Sequence, residues 1–161
     1  DVIFVGEAPG KNEDMKGEPF IGVAGNKLST ALESAGISRN EVYITNIVKC
    51  RPPKNRVPTA IERNTCQDYL KKEIEIINPK IICVLGNTAF NSLLDGKEII
   101  KFRGKVVRKN NQLYFLTIHP AATIYNQKLI SVLKKDIKKL FKLIQKIKEG
   151  KKVKIDIEHM P

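Results

Sequence analysis

Apolar residues fall along this chain in two rhythms. Continuous apolar runs occupy positions 2–5, 42–45, 81–85 and 113–118. Runs this short and uniformly apolar predict strands covered on both faces, because a half-exposed strand would alternate. Between them the apolar spacing shifts to three and four residues, the helical period. A first helix is predicted over 25–35, closed by Gly36, whose tolerance of the left-handed conformation suits a helix end. A second opens at Thr59, with Pro58 before it and Glu62 three residues on, the pattern of a capping box. Leu70, Ile74 and Ile77 form its stripe, which Cys66 extends. A third, short helix covers 88–94 and ends at Gly96. The last runs over 127–148, with Ile130, Leu133, Ile137, Leu140, Ile144 and Ile147 on one side and Pro120 upstream. Residues 103–108 read as an extra extended piece ahead of the fourth strand.

Strands alternating with helices predict an α/β fold, a four-stranded parallel sheet with helices on both faces. It forms one domain over 1–149, followed by a polar, basic tail at 150–161 that is either a loosely attached strand or disordered. Right-handed crossovers bring the carboxyl ends of parallel strands to one edge, where open α/β sheets bind ligands. Gly6-Glu7-Ala8-Pro9-Gly10 follows the first strand, and Asn46 with KCRPPKNR follows the second. Gly86-Asn87-Thr88 follows the third and His119-Pro120 the fourth. Four unusual segments are thus expected on one rim.

Charge narrows the choice of partner. The 161 residues carry 29 Lys and Arg against 17 acids, a net +12. An excess of this size favours an anionic partner, nucleic acid before an acidic membrane surface. A Lys-rich composition that serves solubility is the competing reading. Residues 127–154 hold eleven lysines against two acids, Asp136 and Glu149. The helix there needs its apolar side for the core, so the lysines form either a solvated outer face or a surface that approaches DNA. No run of about 18 apolar residues occurs, which excludes a membrane-spanning helix. Three cysteines, an odd number, argue against a secreted disulfide framework and for a reducing, intracellular setting. The chain begins at Asp1, directly on a strand and without an initiator Met or a signal-like segment, so upstream residues are expected.

The rim segments carry the candidate chemistry. The first turn lacks both the GK[ST] ending of a phosphate-binding loop and the GxGxxG spacing of a dinucleotide fingerprint. Its acids Glu7, Glu13 and Asp14 would repel a phosphate, so a base or sugar suits it better; a plain surface turn explains its glycines equally well. Residues 46–56 combine Lys49, Arg51, Lys54 and Arg56 with two stiffening prolines, a basic rim that suits phosphate contacts or a solvated charge run. His119, one of two histidines, is either a capping or packed residue or a catalyst at the rim. Cys50, Cys66 and Cys83 read by default as small buried apolar residues.

GEAPGKNED, GEPFIGVAGNKL, VYITNIVKCRPPKNR and HPAATIYN, in this order, resemble the family 4 uracil-DNA glycosylases, the iron–sulfur branch of that superfamily. The likeness runs from Val2 to about Leu143. It implies a three-layer α/β/α fold with a four-stranded parallel sheet, and hydrolysis of the N-glycosidic bond of uracil in DNA during base excision repair. By resemblance, Phe20 stacks on the extruded uracil, Asn46 reads its Watson–Crick edge and His119 donates to O2. Gly6, Ala8, Glu7 and Glu13 belong to the pocket turn. In the best-known members of the superfamily an Asp follows the equivalent of Glu7 and orients water; here Ala8 stands there, and Glu7 is assigned the water. Lys49, Arg51, Lys54 and Arg56 grip phosphates. Cys50 and Cys66 match the last two of four ligands of a 4Fe-4S cluster, and the first two, a Cys-x-x-Cys, are expected upstream of Asp1. The implied partners are uracil-containing DNA and the replication clamp or other repair proteins, with no membrane and with the chain acting as a monomer. Two alternatives stay open: a glycosylase for another deaminated or mismatched base, and a non-catalytic DNA-binding iron–sulfur domain.

Overall fold

Five buried residues in a row open the structure as strand β1 (Val2–Gly6). The computed structural model describes residues 2–7, 22–47 and 57–158. β1 pairs in parallel with β2 (Tyr43–Asn46) on one side and with β3 (Ile81–Leu85) on the other. Beyond β3 lies β5 (Gln112–Thr117), also parallel, and β4 (Val106–Lys109) runs antiparallel along its outer edge. The order is β2-β1-β3-β5-β4.

The described sheet therefore has five strands where four parallel ones were expected. The addition is the extended piece before the fourth strand. Asn110 and Asn111 both take positive φ, 51° and 66°, which folds the chain back in a two-residue hairpin. Strands joined so tightly can pair only antiparallel. Past β4, the segment after the last helix continues the edge. The amides of Asp156 and Ile157 donate to Val106 O, and Arg108 N donates to Ile157 O.

The helices are α1 (Val23–Ser34), α2 (Ala60–Ile77), α3 (Asn87–Leu94), α4 (Ala122–Tyr125) and α5 (Lys128–Lys148). The capping box at α2 forms as its sequence dictates. Thr59 Oγ1 accepts from Glu62 N at 3.2 Å, and Glu62 Oε1 accepts from Thr59 N at 2.9 Å. Gly36 takes φ +79° just past α1. At α3 the expected stop, Gly96, has another task. Asp95 caps the helix in the left-handed conformation, while a Cβ on Gly96 would stand 2.2 Å from the Phe90 ring. The last helix, expected over 127–148, forms as α5, and the short α4 ahead of it is an addition.

Alternate residues of each strand point to opposite faces. Val2, Phe4, Cys83, Leu85 and Phe115 pack beneath α1 and α5, against Leu28, Leu32, Leu133, Ile137 and Leu140. Ile3, Val5, Ile82, Val84 and Leu116 pack beneath α2 and α3, against Leu70, Phe90 and Leu94. Helices on both faces explain the uniformly apolar strands. Each fully buried large side chain contributes roughly 1.5–3 kcal/mol. Tyr43 and Thr45 also donate to Glu73 on α2, tying β2 to that layer. Burial and the Glu73 carboxylate push the Tyr43 phenol up to about 12, the hydrogen bond to Glu73 being the larger cause. Among the described residues no helix is long and apolar enough to cross a membrane.

Candidate active site

The four parallel strands end at one edge, and the strand order reverses between β1 and β3, the place where open α/β sheets bind ligands. Asn46 is the last residue of β2 and stands in register with Gly6. Ile47 N donates to Gly6 O at 2.9 Å, which fastens the two strand ends together. Asn46 is only 6% exposed, and its side-chain oxygen is out of contact with solvent. A buried amide here is costly unless it serves recognition or structure.

Glu7 leaves the end of β1 and crosses to the start of α3, where Thr88 Oγ1 donates to Glu7 Oε2 at 2.7 Å. The positive end of the helix dipole complements that carboxylate. Beside it, Gly86 joins β3 to α3 with φ +90°, and its amide donates to Thr117 O at 3.1 Å. A Cβ on Gly86 would stand 2.8 Å from His119 Cβ. The backbone of Gly86 thus forms the wall against which His119 rests.

His119 follows β5 by two residues. Its Nδ1 accepts from Ala121 N at 3.0 Å, so the neutral ring carries its proton on Nε2. Burial pushes its pKa down to about 4. The strand end beneath it is braced from α5: Thr117 Oγ1 donates to Asp136 Oδ2 at 2.7 Å, and Arg103 Nη1 donates to Oδ1 at 2.8 Å. Burial raises the Asp136 carboxyl, with Thr117, Arg103 and Lys139 pulling the other way.

Asn46 and His119 leave strands three intervals apart, about 14 Å at the usual ~4.8 Å spacing. Gly86→Ala is expected to strain the turn by ~1–3 kcal/mol and to displace His119. Thermal denaturation followed by circular dichroism should show a midpoint below the parent's; an equal midpoint would show that the turn accepts the Cβ without strain.

Residues 1–145 match the model of the uracil-DNA glycosylase superfamily. The chain belongs to that superfamily. The type-4 uracil-DNA glycosylase of Archaeoglobus fulgidus is 44% identical over 155 residues, which cover 91% of this chain and 78% of that protein. Type-4 enzymes from Sulfurisphaera tokodaii and Thermotoga maritima are each 43% identical, over 89% and 90% of this chain and 70% and 78% of their own lengths. These likenesses place this glycosylase among the type-4 members.

Of the glycosylase residues expected at the rim, the structure brings together Gly6, Glu7, Asn46 and His119. Ala8, Glu13, Phe20, Lys49, Cys50, Arg51, Lys54 and Arg56 lie outside the described residues. Two positions gain a role from the fold: Gly86 as the backing of His119, and Thr88 as the anchor of Glu7. Both sit in the Gly-Asn-Thr triplet after the third strand, and only their partners were hidden. Tyr125, six residues past His119, is 91% exposed, beside Ile124 at 42%.

The cysteines separate by face. Cys66, half-buried on α2, packs against the cluster that holds Ile47 and Leu70, whereas Cys83 is buried in the cluster on the other side of the sheet. Burial, with a smaller contribution from Asp136, pushes the Cys83 thiol well above its usual range. Cys66 thus shares its face of the sheet with Ile47, the last described residue after β2, and Cys83 does not. Among the described residues no group of three or more His, Cys, Asp or Glu could hold a metal ion.

Proposed function

We propose that this chain removes uracil from DNA, with Asn46 as the base reader, His119 as the donor to the leaving base and Glu7 as the orienter of water. The observation that carries this reading is a neutral imidazole and a buried amide on one rim, with an anchored carboxylate on the strand between them. A base inside a duplex is shielded and must be turned out. Lys49, Arg51, Lys54 and Arg56 hold phosphates during that step. Ile124 and Tyr125, exposed beside the rim, fill the gap that the everted nucleotide leaves.

Phe20 offers the base a face, worth ~1–3 kcal/mol of stacking. Stacking hardly distinguishes bases, so selection falls to Asn46. Its carbonyl accepts from uracil N3–H and its amide donates to O4. Cytosine presents the reverse pattern and would leave buried polar groups unpaired. As the bond between C1′ and N1 breaks, its electron pair passes to the uracil ring and charge gathers on O2. The Nε2–H of His119 meets that charge. One such donor is worth ~2.7–4 kcal/mol. Glu7, held at one oxygen by Thr88, orients the water through the other and takes its proton as the water oxygen bonds the cationic C1′. Gly6, Ala8 and Glu13 complete the turn around the base.

Cys50 and Cys66 are assigned as two thiolate ligands of a 4Fe-4S cluster. When bound, the cluster would cross-link the basic segment after β2 to α2.

The reading is tested on strands carrying uracil, hypoxanthine or a T·G mismatch, by scoring alkali-labile abasic sites. Cleavage confined to uracil is expected. Cleavage of another base would reassign the substrate. DNA binding without any abasic site would replace the enzyme with a binding domain.

A further inference from the structure

We propose that the outer face of α5 is a second, sequence-independent DNA-contact surface, which holds duplex away from the rim where the base is read. The inference rests on the reading of DNA as substrate but not on the chemistry assigned to the rim. Lys135, Lys138, Lys142 and Lys146 are all exposed. Their spacing of three, four and four residues places them on one stripe, roughly 17 Å long at ~1.5 Å per residue. The stripe lies opposite the side that buries Leu133, Ile137, Leu140 and Ile144.

Composition does not account for this row. Residues 127–154, with eleven lysines and two acids, hold most of the net +12. The comparable helix α2 carries four acids against three basic residues. Charge that served solubility alone would spread over both. The one acid inside α5, Asp136, is 2% exposed and faces Thr117 and Arg103, so α5 supplies no acid to its own outer face; the acid nearby is Glu41, which lines the groove shared with Lys138 and Lys142. Glu149, just past the helix, pairs with Lys151 at 2.9 Å. Like charges three and four residues apart destabilise a helix, so helix stability does not explain the row either.

The face also lies apart from the rim. α5 starts nine residues after His119, and its far end, at Gln145 and Lys148, shares a groove of about 490 Å³ with Val2 at the start of β1. Lys138 and Lys142 stand in the wall of that groove. The row thus runs from the rim toward the opposite edge of the sheet. Beside its lysines the outer face presents Gln145, with Ser131 one turn before Lys135, and no exposed large apolar residue. A stable protein interface needs an apolar centre, whereas a phosphate backbone needs only cations at intervals. The polymer bound at the rim is long enough to reach this side.

The test uses the full chain with all four lysines changed, K135Q/K138Q/K142Q/K146Q, and a parallel version with four Arg. Gln keeps helix propensity close to that of Lys. Affinity for a long uracil-free duplex is measured across a KCl series. Single-turnover excision is measured on a short single strand with one uracil. The Gln variant should bind the duplex at least ~10-fold more weakly at low salt, with the salt slope reduced by about 3–4, near ~0.9 per phosphate contact. Its excision from the short strand should match the parent, and the Arg version should bind like the parent. Equal slopes and affinities for parent and Gln variant would overturn the proposal. So would an Arg version as weak as the Gln variant, which would point to a structural role. Loss of polyglutamate binding with duplex binding intact would assign the face to an acidic protein instead. A parent that binds duplex but never excises uracil would sink the enzymatic reading and leave this one standing.

Discussion

Changing Asn46 to Asp is expected to abolish most of the preference for uracil over cytosine, a loss on the order of 10⁴ in relative kcat/KM. Sites that pair every polar edge of a base reject the wrong base because mismatched groups stay buried and unpaired. Asn46 qualifies by position: it ends β2, it is held beside Gly6, and it is almost wholly buried. The amide offers one acceptor and one donor. A carboxylate offers two acceptors, so uracil O4 would face an oxygen rather than an N–H. Uracil excision should fall steeply while affinity for undamaged DNA holds, since the proposed phosphate contacts are Lys49, Arg51, Lys54 and Arg56. Competition between uracil- and cytosine-bearing strands in one tube would read the ratio; an unchanged ratio would remove Asn46 from base reading.

The second large effect belongs to His119. His119→Ala should lower turnover by ~10²–10³ and leave DNA binding largely intact. The ring is neutral near pH 7, because burial holds its pKa down to about 4 and Ala121 N–H occupies Nδ1. In the proposed role it acts as a donor through Nε2 and not as a cation. Its contribution to turnover should therefore stay flat from neutral pH down toward 5 and fail only as pH nears 4. The same depressed pKa links to stability. Between about 6.5 and 4 the unfolded chain binds a proton at this residue that the folded chain does not. Stability from a neutral His119 is complete above pH 6.5 and falls as pH drops through that window. The shift corresponds to at most roughly 3 kcal/mol at ~1.36 kcal/mol per pH unit. Denaturation midpoints at neutral and mildly acid pH, compared between parent and His119→Ala, should lie closer together in the variant. A histidine that titrates near 6.5 by NMR would contradict the neutral-donor role.

Much of this site was legible residue by residue. Glu7, Asn46 and His119 each follow an apolar run, and parallel strands must deliver such residues to one edge. Hidden from the sequence were the residues that hold them. Thr88 is 81 positions from Glu7, and Gly86 is more than thirty from His119; their contacts exist only because β1, β3 and β5 are neighbours. Gly96 shows the same limit. Beside a short helix it reads as a stop, yet its missing side chain makes room for Phe90.

The order of residues by itself determined the strand positions, the Thr59 capping box, the left-handed glycine after α1 and the concentration of lysine near the carboxyl end. Each of these follows from local backbone preference or from a period that repeats within a few residues. Tertiary structure alone decided that the extended piece before β5 joins the sheet and runs antiparallel, the separation of Cys66 from Cys83 by the sheet, the neutral state of His119 and the inward turn of Asp136 that leaves the outer face of α5 without an acid of its own. Those outcomes depend on which surfaces meet and how much water they exclude, and that is settled only when distant segments pack.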